Sequence, residues 1–132
     1  MIQFIAMSKA VVVENFRPIA EIWVNLLKQL GLDEVEIMDG SFDPTEKILQ
    51  MHPEIVLMDI NLDNGLNGLD LTKKLTEQSE LKICVISLNT GERYVSMAKD
   101  AGARAYICKS SPITEIRSYI ERVLQGEFCY SH

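Results

Sequence analysis

The chain has 132 residues, enough for one domain with a sizeable core, and its 47% hydrophobic and 24% charged residues are ordinary for a globular protein. Its formal net charge of −6 repels phosphate backbones and anionic lipid, so direct binding to nucleic acid or to a membrane surface is not expected. No apolar run reaches bilayer length, and the opening MIQFIAM lacks the basic region of a signal peptide; Met7 is an alternative start.

The first strand-like run is Ala10–Val13, ending at Glu14-Asn15. Pro18 opens a helix with Ile19, Ile22, Trp23, Leu26, Leu27 and Leu30 on one face, and Gly31 stops it. Val35–Met38 is a second strand. Asp43-Pro44-Thr45-Glu46 then reads as an N-cap, an N1 proline and an N3 glutamate, opening a helix that ends near Met51. Ile55–Met58 is the third strand, and Leu69, Leu71 and Leu75 mark a helix to about Gln78. Lys82–Ser87 is the fourth strand, followed by a helix over Gly91–Ala101. Ala105–Cys108 is the fifth strand. Ser111-Pro112 begins the last helix, with Ile113, Ile116, Ile120, Val123 and Leu124 inward and Gly126 at its end. The three cysteines, Cys84, Cys108 and Cys129, have no metal-ligand spacing. Cys84 and Cys108 read as core residues in a reducing cytoplasm.

Five strands alternate with five helices, and the strands are nearly continuous apolar runs. Such strands are buried on both faces. The expected fold is α/β: a five-stranded parallel sheet, doubly wound and flavodoxin-like, with helices on both faces. The functional crevice of such a sheet lies beyond the carboxyl ends of its strands. Glu14-Asn15, Asp59, Ser87 and Lys109 stand at four of those ends; Asp39-Gly40, at the fifth, reads as a turn. Carboxylate oxygens there suit Mg²⁺, and Lys109 and Ser87 would surround a phosphoryl group placed on Asp59.

These residues carry a resemblance. VVVEN at the first strand, IVLMDIN at the third, VIS at the fourth and AGARAYICK at the fifth resemble the response-regulator receiver domains (CheY-like) of two-component signalling, from about Ser8 to Gly126. Ser87 and the segment KSSPITEIRSYIERVLQGE resemble the NarL/LuxR-type branch, whose receivers precede a helix-turn-helix DNA-binding domain. The implied domain is 7–126, with 127–132 a tail or the start of a linker. The resemblance implies that Asp59 is the phospho-acceptor and that Glu14, Asn15, Asp59 and the Asn61 backbone carbonyl form the Mg²⁺ site. It implies that Ser87 and Lys109 contact the phosphoryl group and that Ser87 and Tyr106 form the switch. The implied partners are a histidine kinase or phosphotransfer protein, and a second copy through the 91–101 helix, the fifth strand and the 111–125 helix. The implied role is cytoplasmic signalling that controls transcription. The chain is then no enzyme beyond its own phosphorylation and dephosphorylation.

Three features depart from the family. The acidic pair is Glu14-Asn15 rather than two carboxylates. Lys109 is followed by Ser110 where proline is usual. The loop after Asp59 has Asp63 in a common proline position, and its glycine, Gly68, comes one residue late. A rival reading follows from them: a phosphorylation-independent receiver acting as a protein–protein module. A phosphohydrolase with Asp59 as nucleophile needs a general acid two residues on, where Asn61 stands. His52 and His132 are expected to face solvent.

Overall fold

A computed structural model describes residues 8–130; the first seven residues and the last two, Ser131 and His132, lie outside the described residues. The elements in chain order are β1 (Lys9–Val13), α1 (Arg17–Gln29), β2 (Glu34–Met38), α2 (Thr45–Met51), β3 (Ile55–Asp59) and α3 (Gly68–Gln78). Then come β4 (Ile83–Ser87), α4 (Glu92–Asp100), β5 (Ala105–Cys108), α5 (Ile113–Leu124) and β6 (Cys129–Tyr130). The strands form one parallel sheet in the order β2-β1-β3-β4-β5-β6.

Alternate residues of each strand serve opposite helical layers, as the two-residue period of a strand requires. Ala10, Val12, Ile55, Leu57, Cys84, Ile86, Ala105 and Ile107 pack with Trp23, Leu26 and Leu27 of α1 and Ile116, Ile120 and Val123 of α5. Val11, Val13, Val56, Met58 and Ile83 turn to the other face, against Ile48 of α2 and Leu71 and Leu75 of α3. Val85 and Tyr106 on that face meet Val95 and Ala98 of α4. Each fully buried Val, Leu or Ile contributes about 1.5–3 kcal/mol, so this two-sided burial is what holds the strands rigid.

The sheet has six strands, not the expected five. Gly126 turns the chain back with φ +95°, the Cys129 N–H donates to the Arg104 carbonyl at 2.9 Å, and Cys129 is buried beside β5. Two residues are too few to show as an apolar run. Three inward assignments are also corrected. Ile22 is 46% exposed because it stands about 100° round α1 from Trp23. Ile113 is 49% exposed as the first residue of α5, where the helical period continues beyond the packed turns. Cys108, the last residue of β5, is only half-buried, its Sγ 3.0 Å from Ser110 Oγ. α2 begins one residue later than its capping pattern suggests, with the Asp43 carboxylate still accepting from the Thr45 N–H at 2.9 Å. His52 is exposed, as expected.

Candidate phosphoryl-acceptor site

The strand order makes the site. The chain leaves β1 for one edge of the sheet and returns to β3 on β1's other side, so the ends of β1 and β3 flank the point where the winding reverses. Glu14 follows β1 directly and continues its ladder, its N–H donating to the Met38 carbonyl at 3.1 Å. Asp59 is the last residue of β3, and Ser87 the last of β4. The Lys109 N–H donates to the Ser87 carbonyl at 2.9 Å, extending β5 by one residue. Four side chains are thus fixed by rigid backbone on adjacent strands.

Their charges meet. Lys109 Nζ is 2.6 Å from Glu14 Oε1 and 3.3 Å from Asp59 Oδ2. The second Glu14 oxygen accepts from the Phe16 N–H at 3.3 Å. Glu14 is 2% exposed and Asp59 7%. Burial raises the Asp59 carboxyl to about 6; the nearby Glu14 charge pushes the same way, and Lys109 partly offsets both. Two carboxylates against one ammonium leave the cluster one negative charge in excess. A divalent cation would offset both the burial and the Glu14 repulsion that hold Asp59 high.

The donor set fits Mg²⁺: hard oxygens from Asp59, Glu14 and the Asn15 amide, with the Asn61 carbonyl close behind Asp59 in the chain. The hydrogen bond that closes the loop after β3 runs from the Gly68 N–H to the Ile60 carbonyl at 2.8 Å, not to that of Asn61. Among the described residues no group of three or more His, Cys, Asp or Glu side chains is placed to hold a metal. Protein oxygens other than carboxylates, together with water, would have to complete the shell, as is usual for Mg²⁺.

Ser87 is fully buried, its Oγ accepting from the Asn89 N–H at 3.1 Å. Tyr106 is 1% exposed, and its hydroxyl donates to the Asn89 carbonyl at 2.6 Å. Burial raises its phenol pKa, against a smaller lowering by hydrogen bonding with Ser87. The backbone of Asn89 therefore joins both expected switch residues. Nothing in the sequence marks Asn89, because its contribution is main-chain.

Two further residues carry the geometry. Gly68 opens α3 against the end of β3, where a Cβ would overlap the Asp59 carbonyl oxygen. Asp63 accepts from Asn15 Nδ2 at 3.1 Å, linking two of the family departures. Asn64 and Gly65, with φ +57° and +74°, form the tight turn that aims this loop, closed by Leu66 N–H to Asp63 O at 3.1 Å. All described peptide bonds are trans, including Lys109–Ser110.

Known proteins resemble this chain in sequence and in fold. The model of the response regulator receiver domain matches residues 10–121. The chain belongs to that family. Curated relatives include the oxygen regulatory protein NreC of Staphylococcus carnosus, 29% identical over 99 residues, and that of Staphylococcus epidermidis, also 29% identical over 99 residues. Each match covers 72% of this chain but only 46% and 45% of the relative, so the chain spans about half the length of these relatives. Among solved structures, a LuxR-family response regulator from Aurantimonas sp. SI85-9A1 has a TM-score of 0.80 at 23% identity. It covers 94% of this chain and 89% of its own. A CheY-like receiver protein from Methanospirillum hungatei JF-1 has a TM-score of 0.80 at 22% identity, covering 92% and 96%. These likenesses support the CheY fold of a response regulator receiver. No described helix is long and apolar enough to cross a membrane.

Proposed function

We propose that this receiver takes a phosphoryl group on Asp59 from a histidine kinase or phosphotransfer protein, with Mg²⁺ bound, and so switches a protein-interaction surface. The observation that carries the reading is the contact of Lys109 Nζ with both Glu14 and Asp59 in a rim built by adjacent strands. The Asp59 carboxylate attacks phosphorus in line with the leaving imidazole. A P–O bond forms as the P–N bond breaks, and the nitrogen leaves with the electron pair. With a carboxyl pKa of about 6, the nucleophile is mostly ionised above that pH. Bound Mg²⁺ supplies charge neutralisation at the transferring oxygens. Lys109 holds the phosphoryl oxygens by charge, and the Ser87 hydroxyl donates to one of them.

When Ser87 turns to that oxygen it leaves the Asn89 N–H, and Tyr106, bonded to the Asn89 carbonyl, follows. The faces of α4, β5 and α5 then change partners, including a second copy of the chain. Local charge addition thereby biases a two-state element. The chemistry is limited to the chain's own aspartyl phosphate, in a cytoplasmic role. Control of transcription, through a DNA-binding domain as in LuxR-type regulators, is the whole-protein role that fits the branch.

The test is labelling by a phosphodonor together with beryllofluoride binding at millimolar Mg²⁺. Wild type should take both, and Asp59→Asn neither. Label persisting in Asp59→Asn would overturn the assignment, and failure of wild type to bind beryllofluoride would favour the phosphorylation-independent module.

A further inference from the structure

We propose that Asp63 replaces the acidic residue missing beside Glu14: it orients the Asn15 carboxamide for the cation site and restores the negative charge that Asn15 lacks. This rests on the Mg²⁺ reading above. Three observations lead to it. Asn15 Nδ2 donates to Asp63 Oδ1 at 3.1 Å, across 48 residues of sequence. A carboxamide has its nitrogen and oxygen on opposite arms. Committing Nδ2 to Asp63 therefore leaves the Asn15 oxygen as the arm available to a cation, and among the described residues that oxygen accepts no hydrogen bond. The left-handed Asn64-Gly65 turn places Asp63 there, and Asn64 Nδ2 anchors the loop to the Ser41 carbonyl at 2.9 Å.

Charge supports the geometry. Glu14, Asp59 and Lys109 sum to −1, where a second carboxylate at position 15 would make −2. Asp63 supplies that unit from the neighbouring loop. It is a positioning residue and not a ligand, since the described carboxylates form no three-membered metal-holding group. Asn15 and Asp63 lie on the exposed rim of the site, where a unit charge changes the affinity for a divalent cation about five- to tenfold under water-like screening.

The experiment is calorimetric titration of Mg²⁺ into the full chain, unphosphorylated, with melting curves confirming that each variant is folded. Asp63→Ala, which loses both orientation and charge, should weaken binding about tenfold. Asp63→Asn keeps an acceptor for Asn15 Nδ2 and should weaken it less. Asn15→Asp alone sets two carboxylates against each other and should lower stability in metal-free buffer. Adding Asp63→Asn should recover that stability and bind Mg²⁺ at least as tightly as wild type, because the pair is re-formed with its charge exchanged. Wild type that binds Mg²⁺ no better than Asp63→Ala overturns this inference alone, and wild type that binds none overturns the Mg²⁺ reading with it.

Discussion

Replacing Asp59 by Asn should make the protein more stable while removing the carboxylate oxygen proposed to accept the phosphoryl group. The carboxyl is 7% exposed and rises from 3.8 to about 6 on folding, chiefly through desolvation and then through Glu14. One pKa unit is worth 1.36 kcal/mol, so keeping this group ionised costs the folded state about 3 kcal/mol. The sign follows from which state holds the proton. Between pH 3.8 and about 6 the folded protein retains a proton that the unfolded chain releases. The penalty is therefore absent below about pH 3.8, grows through the interval and is complete above about pH 6. An Asn side chain escapes it, and Lys109 keeps Glu14 as a partner at 2.6 Å. Urea unfolding of both proteins in EDTA, from pH 4 to 8, measures the difference. The Asn variant should gain about 2–3 kcal/mol at pH 7.5, about 10 °C in Tm, and the gain should shrink towards zero near pH 4. Added Mg²⁺ should narrow the gap at pH 7.5, since it stabilises the ionised wild type by mass action. An Asn variant no more stable at pH 7.5, or a gain that does not change with pH, would refute the reasoning.

Lys109→Ala leaves Glu14 and Asp59 facing each other without their ammonium. It should cost about 2–4 kcal/mol at pH 7, less as the pH falls through 6, and abolish beryllofluoride binding; unfolding curves and fluoride titrations check the two effects. Gly68→Ala drives a methyl group into the Asp59 carbonyl, so the start of α3 must move away from β3. A loss of about 1–3 kcal/mol in urea and a slower rate of phosphodonor labelling are expected.

The sequence shows most of this fold because its strands are buried on both faces. A run such as Ile55–Met58 has no second reading once turn residues bound it, and the glycines after α1, α4 and α5 mark where each helix stops. Site residues at strand ends are legible for the same reason: the first polar residue after an apolar run is placed at the crevice by the sheet itself. What escaped depends on other forces. β6 is held by its two-residue ladder with β5, by the Cys129 N–H to the Arg104 carbonyl, and by two side-chain bonds, Cys129 Sγ to the Tyr119 carbonyl at 3.5 Å and Tyr130 hydroxyl to the Ala103 carbonyl at 2.8 Å. None leaves a periodic trace. Asn89 acts through its backbone. The tie between Asn15 and Asp63 joins loops far apart in sequence, although the Asn64-Gly65 dipeptide does announce the turn that makes it.

The site and the α4–β5–α5 face are joined by a chain of direct contacts. Ser87 bonds the Asn89 N–H, and Tyr106 bonds the Asn89 carbonyl. Tyr106 in β5 pairs in register with Tyr130 in β6. Tyr130 is fixed to Ala103, and Lys99 of α4 lies over its ring, 4.7 Å from the centroid. Cys129, one residue earlier, reaches the Tyr119 carbonyl of α5. The added strand thus ties α4 and α5 to the edge of β5 at the level of Tyr106. The short strand that the sequence hides therefore packs directly beside Tyr106, the residue proposed above as part of the switch.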